Sequence, residues 1–208
     1  FPEKTKISKK GNLEINNNDL SDLVNEFGSP LYVYDENTIR NISREYINCF
    51  KSKFENVHVS YSSKAFSNPV LSQILLEEGL GIDVVSGGEL EILIRCKFPM
   101  KDVNFHGNNK SEYELRKSVI NNIGLITIDS FYELDLLDSI CNELNTTQNI
   151  TLRLSPSVDP HTHELTSTGI LDTKFGFSIE TGAAKDAIIS AQKKNNLKET
   201  EVTSPTFG

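Results

Sequence analysis

The chain has 208 residues, 37% of them hydrophobic and 24% charged, the composition of a folded domain rather than of a disordered or fibrous chain. Lys and Arg number 21 against 29 Asp and Glu, giving a net charge of −8 with no basic face, which argues against a nucleic-acid partner. No run reaches the roughly 18–20 apolar residues of a membrane span, and the opening FPEKTKISKKGN lacks the apolar core of a secretory signal. Cys49, Cys96 and Cys141 are odd in number and far apart, which fits a reducing cytoplasm better than a disulfide framework.

In chain order, the first 28 residues are polar, with a short helix expected near Asp19–Phe27 and punctuation at Gly28, Ser29 and Pro30. Leu31–Asp35, LYVYD, alternates and is rich in aromatics, so it reads as a strand. Residues 36–54 place Ile39, Ile42, Tyr46, Ile47 and Phe50 near the 3.6 period of a helix. From residue 57 a rhythm begins. Strand-like runs start near His58, Ile82, Val103, Leu125 and Ile150, so that successive starts are 21 to 25 residues apart. Helical patterns fill the gaps. In the first, Asn68 is a cap, Pro69 suits the first helical position, and Gly79 ends the turn.

Three strand-to-helix joints carry the string S-x-x-E, at Ser86/Glu89, Ser111/Glu114 and Ser130/Glu133. This is the signature of a capping box, in which the serine accepts from an orphan N–H and the glutamate reaches back. Strand, box and amphipathic helix in repetition predict an α/β fold of βα units with parallel strands. On pattern alone a doubly wound sheet and a (β/α)8 barrel both fit. A barrel needs about 250 residues, so in that case the chain holds part of one.

Several residues fall where such folds keep their chemistry, at the carboxyl ends of the strands. Lys64 follows the strand VHVSYSS, and desolvation there would leave its amine available as a nucleophile. An ordinary solvated loop lysine is the competing explanation. Asp83 interrupts the apolar strand IDVVS and requires a partner. Ser86–Glu89 sets two glycines at a helix start, although capping alone accounts for Ser86 and Glu89. His106 ends the strand VNFHG ahead of the turn-rich Gly107–Lys110. Arg153, in the strand TLRLS, needs an anion, from a ligand or from a carboxylate. The long loop from Ser155 to Phe177 holds Asp159, His161, His163 and Glu164, but H-x-H spacing is a weak metal signal and no metal site is expected.

Taken together, SPLYVYDENTIR, VSYSSKAF, GIDVVSGGELE, NFHGNNKSEYEL and ITLRLSPSVDPHTHELTSTGILDTKFGF resemble the diaminopimelate decarboxylase family, pyridoxal-phosphate enzymes with the alanine-racemase type of (β/α)8 barrel. The resemblance covers about residues 10–200, and YSSKAF departs from the family's Y-A-x-K-A-N segment in having Phe66 where Asn is usual. It implies that Lys64 carries pyridoxal 5'-phosphate, that Asp83, Glu89, His106 and Arg153 line or support the cofactor pocket, and that meso-2,6-diaminopimelate is decarboxylated to L-lysine. It further implies a homodimer acting on a small amino acid in the cytoplasm, without a membrane partner.

The family continues with an H-x-H-x-G-S strand, a Gly-rich phosphate segment, an E-P-G-R string and a β-domain, whereas this chain reads LKETEVTSPTFG at that point. The resemblance therefore implies an incomplete barrel. Residues 36–208 would supply about six of its eight βα units, residues 1–35 would contribute to the β-domain, and activity would be weak or lost. Three alternatives share the chemistry in part: a decarboxylase of ornithine, arginine or carboxynorspermidine, a non-catalytic pyridoxal-phosphate carrier, and an inert fragment.

Overall fold

The computed structural model describes residues 1–156 and 175–203. The chain divides into two compact units, one of Phe1–Val59 with Ile74–Leu80, the other of Ser60–Gln73 with Gly81–Gly208.

The first unit opens with a small antiparallel sheet that the polar N-terminal sequence does not announce, β1 (Thr5–Ile7), β2 (Leu13–Ile15) and β3 (Asn18–Asp19). Asn16 and Asn17 take positive φ between β2 and β3, as asparagine tolerates in tight turns. The expected short helix is present as α1 (Leu20–Phe27), where the Asp19 carboxylate accepts from the Ser21 N–H at 2.8 Å. LYVYD does not form a strand. Residues 31–35 take no strand conformation in the described structure, and Tyr32 is 85% exposed. Alternation supplies a face to bury, but a strand also needs a neighbour to take its N–H and C=O groups. Helix α2 (Glu36–Lys51) then begins at Asp35, whose carboxylate accepts from the Thr38 N–H at 3.0 Å, and stops three residues short of the expected end.

The second unit holds the rhythm. Its strands are β4 (Ser60–Ser62), β5 (Gly81–Val84), β6 (Val103–Phe105), β7 (Leu125–Ile128), β8 (Gln148–Ser155), β9 (Phe177–Ser178) and β10 (Leu197–Thr203). Along the chain, helices α3 (Pro69–Glu77, its Ile74–Glu77 part counted in the first unit), α4 (Gly87–Arg95), α5 (Glu112–Ile120), α6 (Phe131–Glu143) and α7 (Ala183–Gln192) come between them. Asn68 caps α3 as the sequence predicts, its Oδ1 accepting from the Leu71 N–H at 2.7 Å.

The strand order is β10-β8-β7-β6-β5-β4, all pairs parallel, with the short β9 beside β8. This order decides between the two candidate architectures. A doubly wound sheet reverses its order at a switch point, whereas a barrel adds each strand beside the last. Here the main path follows the chain without reversal, which is barrel winding. Ile82, Val84, Phe105, Ile126, Ile128, Ile150 and Leu152 are at most 1% exposed, as expected of strands covered on both faces. Among the described residues no helix is long and apolar enough to cross a membrane.

Candidate active site at the carboxyl ends of the strands

Parallel strands with helical crossovers bring all their carboxyl ends to one edge. A cavity of about 360 Å³ opens there, lined chiefly by residues at or just beyond the carboxyl ends of β4, β5, β6 and β8. Lys64, Asp83, His106 and Arg153, read from the sequence one strand at a time, all lie on its wall. Ser62, Val85, Glu114, Phe175 and the turn Gly107–Lys110 complete it.

Lys64 is exposed rather than pressed against apolar neighbours, so the expected desolvation is corrected. Its position, by contrast, is firmly held through the residue before it. The Ser63 N–H donates to the Asp83 carbonyl at 2.9 Å, and Ser63 Oγ reaches the same carbonyl at 2.8 Å and the Glu89 carboxylate. Glu89 itself is absent from the cavity wall. It stands behind it, its Oε2 accepting from the Val85 N–H at 2.9 Å.

His106 Nε2 lies 3.8 Å from Asp83 Oδ2. Burial, together with the positive charges of Arg153, Lys110 and Lys64, lowers the imidazole to about 4, so at neutral pH the ring is uncharged and this contact is no ion pair. Arg153 finds its anion in Asp129, Nη1 to Oδ1 at 3.4 Å, and its guanidinium lies 4.2 Å from the centre of the Phe175 ring. Asp129 also accepts from the Gly176 N–H at 3.1 Å. Gly176 has φ +71°, and a Cβ there would come within 2.5 Å of the Arg153 carbonyl oxygen, so glycine is what lets this segment approach β8. Burial raises the Asp129 carboxyl above its ordinary range, against the opposing pull of the Gly176 N–H, Arg153 and Lys110.

Asp129, Lys110 and Glu133 were not distinguished by sequence reasoning. Asp129 sits in a strand-end string, LITIDS, of the same form as IDVVS, and that likeness was the available signal. Lys110 and Glu133 read as turn and cap. Lys110 Nζ is instead buried, 2.7 Å from Glu133 Oε1. The three S-x-x-E strings also part company. Each serine accepts from the glutamate N–H as predicted, but a two-way box forms only at Ser111/Glu114. Glu89 and Glu133 reach one residue further back, to the N–H groups of Val85 and Asp129. The loop carrying Asp159, His161, His163 and Glu164 lies outside the described residues.

An accessible primary amine at the mouth of a cavity can attack a carbonyl carbon, and the neutral ring and the held guanidinium beside it offer a flat surface and a fixed cation. Residues 39–203 match the family described as pyridoxal-dependent decarboxylase, pyridoxal binding domain. The chain is 45% identical over 195 residues to a diaminopimelate decarboxylase of Bacillus methanolicus, covering 94% of this chain and 45% of that protein. It is 42% identical to one of Bacillus subtilis, covering 92% and 44%. Among solved structures, a diaminopimelate decarboxylase of M. jannaschii in complex with L-lysine matches with a TM-score of 0.86 and 33% identity, over 97% of this chain and 47% of that one. The chain thus spans about half the length of the relatives it matches, and its strands form an incomplete barrel of their alanine-racemase type. With most of its length matched by their pyridoxal-binding domain, the chain belongs to the pyridoxal-dependent decarboxylases.

Proposed function

We propose that this chain binds pyridoxal phosphate through Lys64 and supplies part of the active site of a decarboxylase that converts meso-2,6-diaminopimelate to L-lysine and carbon dioxide. The observation that carries the reading is the convergence of Lys64, Asp83, His106 and Arg153, from four different strands, on one cavity. The residues fit such a group. Its aldehyde needs an accessible amine, which Lys64 offers, and the volume lies within the range of small-molecule sites. When bound, pyridoxal phosphate supplies the electron sink for the pair left behind by departing carbon dioxide.

The chain's own residues do the rest. Lys64 Nζ would hold the cofactor, and its amine would serve to take up and return protons in the site. Glu89 and Asp83 fix Ser63 and thereby the start of Lys64. His106 stays uncharged and presents a flat ring. Arg153, held by Asp129 and set against Phe175, places a guanidinium on the cavity wall, where it would meet anionic oxygens of a ligand. The fuller reading places the active protein in the cytoplasm as a homodimer, without nucleic-acid or membrane partners. Residues 36–208 then form the barrel portion, and residues 1–35 accompany a β-domain.

The test is borohydride reduction of the chain mixed with pyridoxal phosphate, followed by peptide mass spectrometry. The expected result is a stable cofactor mass on the Lys64 peptide, absent in Lys64→Ala. Equal labelling of several surface lysines would overturn the reading. Release of carbon dioxide from meso-diaminopimelate, ornithine and arginine, compared in the longer protein, tests the substrate.

A further inference from the structure

We propose that Lys110 and Glu133 are a positioning pair, holding the His106–Asn109 turn as one wall of the pocket without touching the ligand themselves. Lys110 Nζ donates to the Gly107 carbonyl at 2.7 Å and to the Thr127 carbonyl at 2.7 Å, and pairs with Glu133 Oε1 at 2.7 Å. The two side chains are 1% and 4% exposed. An ammonium has three N–H donors. Two of them go to main-chain carbonyls and the charge sits beside Glu133 Oε1, with the side chain only 1% exposed, so Lys110 is held within the wall although it borders the cavity. This is the opposite of Lys64, whose amine is exposed.

The pair joins two parts of the wall. On one side it grips Gly107, whose φ of +114° is a backbone conformation that favours glycine. On the other, Glu133 Oε2 accepts from the Asp129 N–H at 3.2 Å, and Asp129 in turn holds Arg153 and Gly176. Stability does not explain the arrangement. Burying two charges is costly, and well-packed apolar residues of similar volume are often as stable or more so. An apolar pair, however, has no donor with which to fix the Gly107 carbonyl. The role as a wall for the cofactor rests on the function proposed above, but the geometric claim does not.

The experiment compares the chain with Lys110→Met/Glu133→Leu, and with Lys110→Arg as the variant that keeps the charge. Amide hydrogen exchange is read by mass spectrometry on peptides spanning the 104–111 turn and strands β5 and β7, and pyridoxal phosphate binding by absorbance. The apolar double variant should unfold at the same or a higher urea concentration, yet exchange about tenfold or more faster in the turn, with β5 and β7 unchanged. Its affinity for pyridoxal phosphate should fall by a similar factor. Lys110→Arg should restore most of the protection. If the double variant folds and its turn exchanges at the original rate, the proposal is overturned. If it fails to fold, Lys110→Arg decides, since wild-type affinity together with an unprotected turn would equally overturn it. Failure of the unaltered chain to bind pyridoxal phosphate would sink the proposed function and leave the exchange result to be judged by itself.

Discussion

The starts of α5 and α6 carry the same string, Ser111 to Glu114 and Ser130 to Glu133, and use its glutamate differently. At α5 the Glu114 carboxylate closes the box, accepting from the Ser111 N–H at 2.9 Å, and its other oxygen accepts from the Gly87 N–H at 2.6 Å. Burial, which would raise it, is outweighed by the bonds from Ser111 and Gly87, and the carboxyl titrates below its ordinary range. At α6 the box stays open on the return side. Glu133 is buried against Lys110, and burial moves its carboxyl in the opposite direction, upward. One local motif therefore gives a solvated clasp in one place and a buried charge in another. The difference is made by what the fold brings opposite. A backbone N–H faces Glu114, and a buried ammonium faces Glu133.

The widest separation between the two should come from removing the carboxylates. Glu133→Ala leaves the Lys110 ammonium buried without its counter-charge, and urea unfolding should show a loss of about 3–5 kcal/mol. Next in size is the pH response of the turn that Lys110 holds. His106 titrates at about 4 in the fold against an ordinary 6.5, so its contribution is whole above pH 6.5. As pH falls toward 4 the unfolded chain gains a proton that the folded one refuses, and up to about 3 kcal/mol is lost. His106→Asn should flatten that part of the stability–pH curve. Glu114→Ala, at a more solvated site, should cost only about 1–2 kcal/mol in the same assay. Ser111→Ala and Ser130→Ala should each cost about 1 kcal/mol for the shared forward cap bond, with Ser111→Ala the larger because Ser111 Oγ also donates to the Glu114 carboxylate at 2.7 Å. A larger cost at Ser130 than at Ser111 would break the comparison at its root. Smallest of all, Lys64→Ala should change stability by less than about 0.5 kcal/mol, since its side chain is exposed, while abolishing cofactor attachment.

Much of this protein is legible in one dimension because the signals are local. The spacing of strand-like runs, the Asn68 cap, the serine N-caps and the apolar β5, β7 and β8 depend on residues within a turn or two of one another, and the structure keeps them. Strand-end positions are local too, which is why Lys64, Asp83, His106 and Arg153 could be picked out singly. What the sequence by itself does not contain is the partner across a gap. LYVYD alternates like a strand and does not form one. Glu133 has the spacing of a cap and becomes half of an ion pair with a residue 23 positions before it. Arg153 demands an anion, and only the adjacency of β7 and β8 names Asp129. Barrel and doubly wound sheet share the same run of elements, and the order of strands across the sheet alone separates them. Local free energies of capping and periodicity therefore specify the elements. The pairing of buried charges and of sheet edges is settled only where distant segments meet, because desolvation makes an unpaired group there too costly to keep.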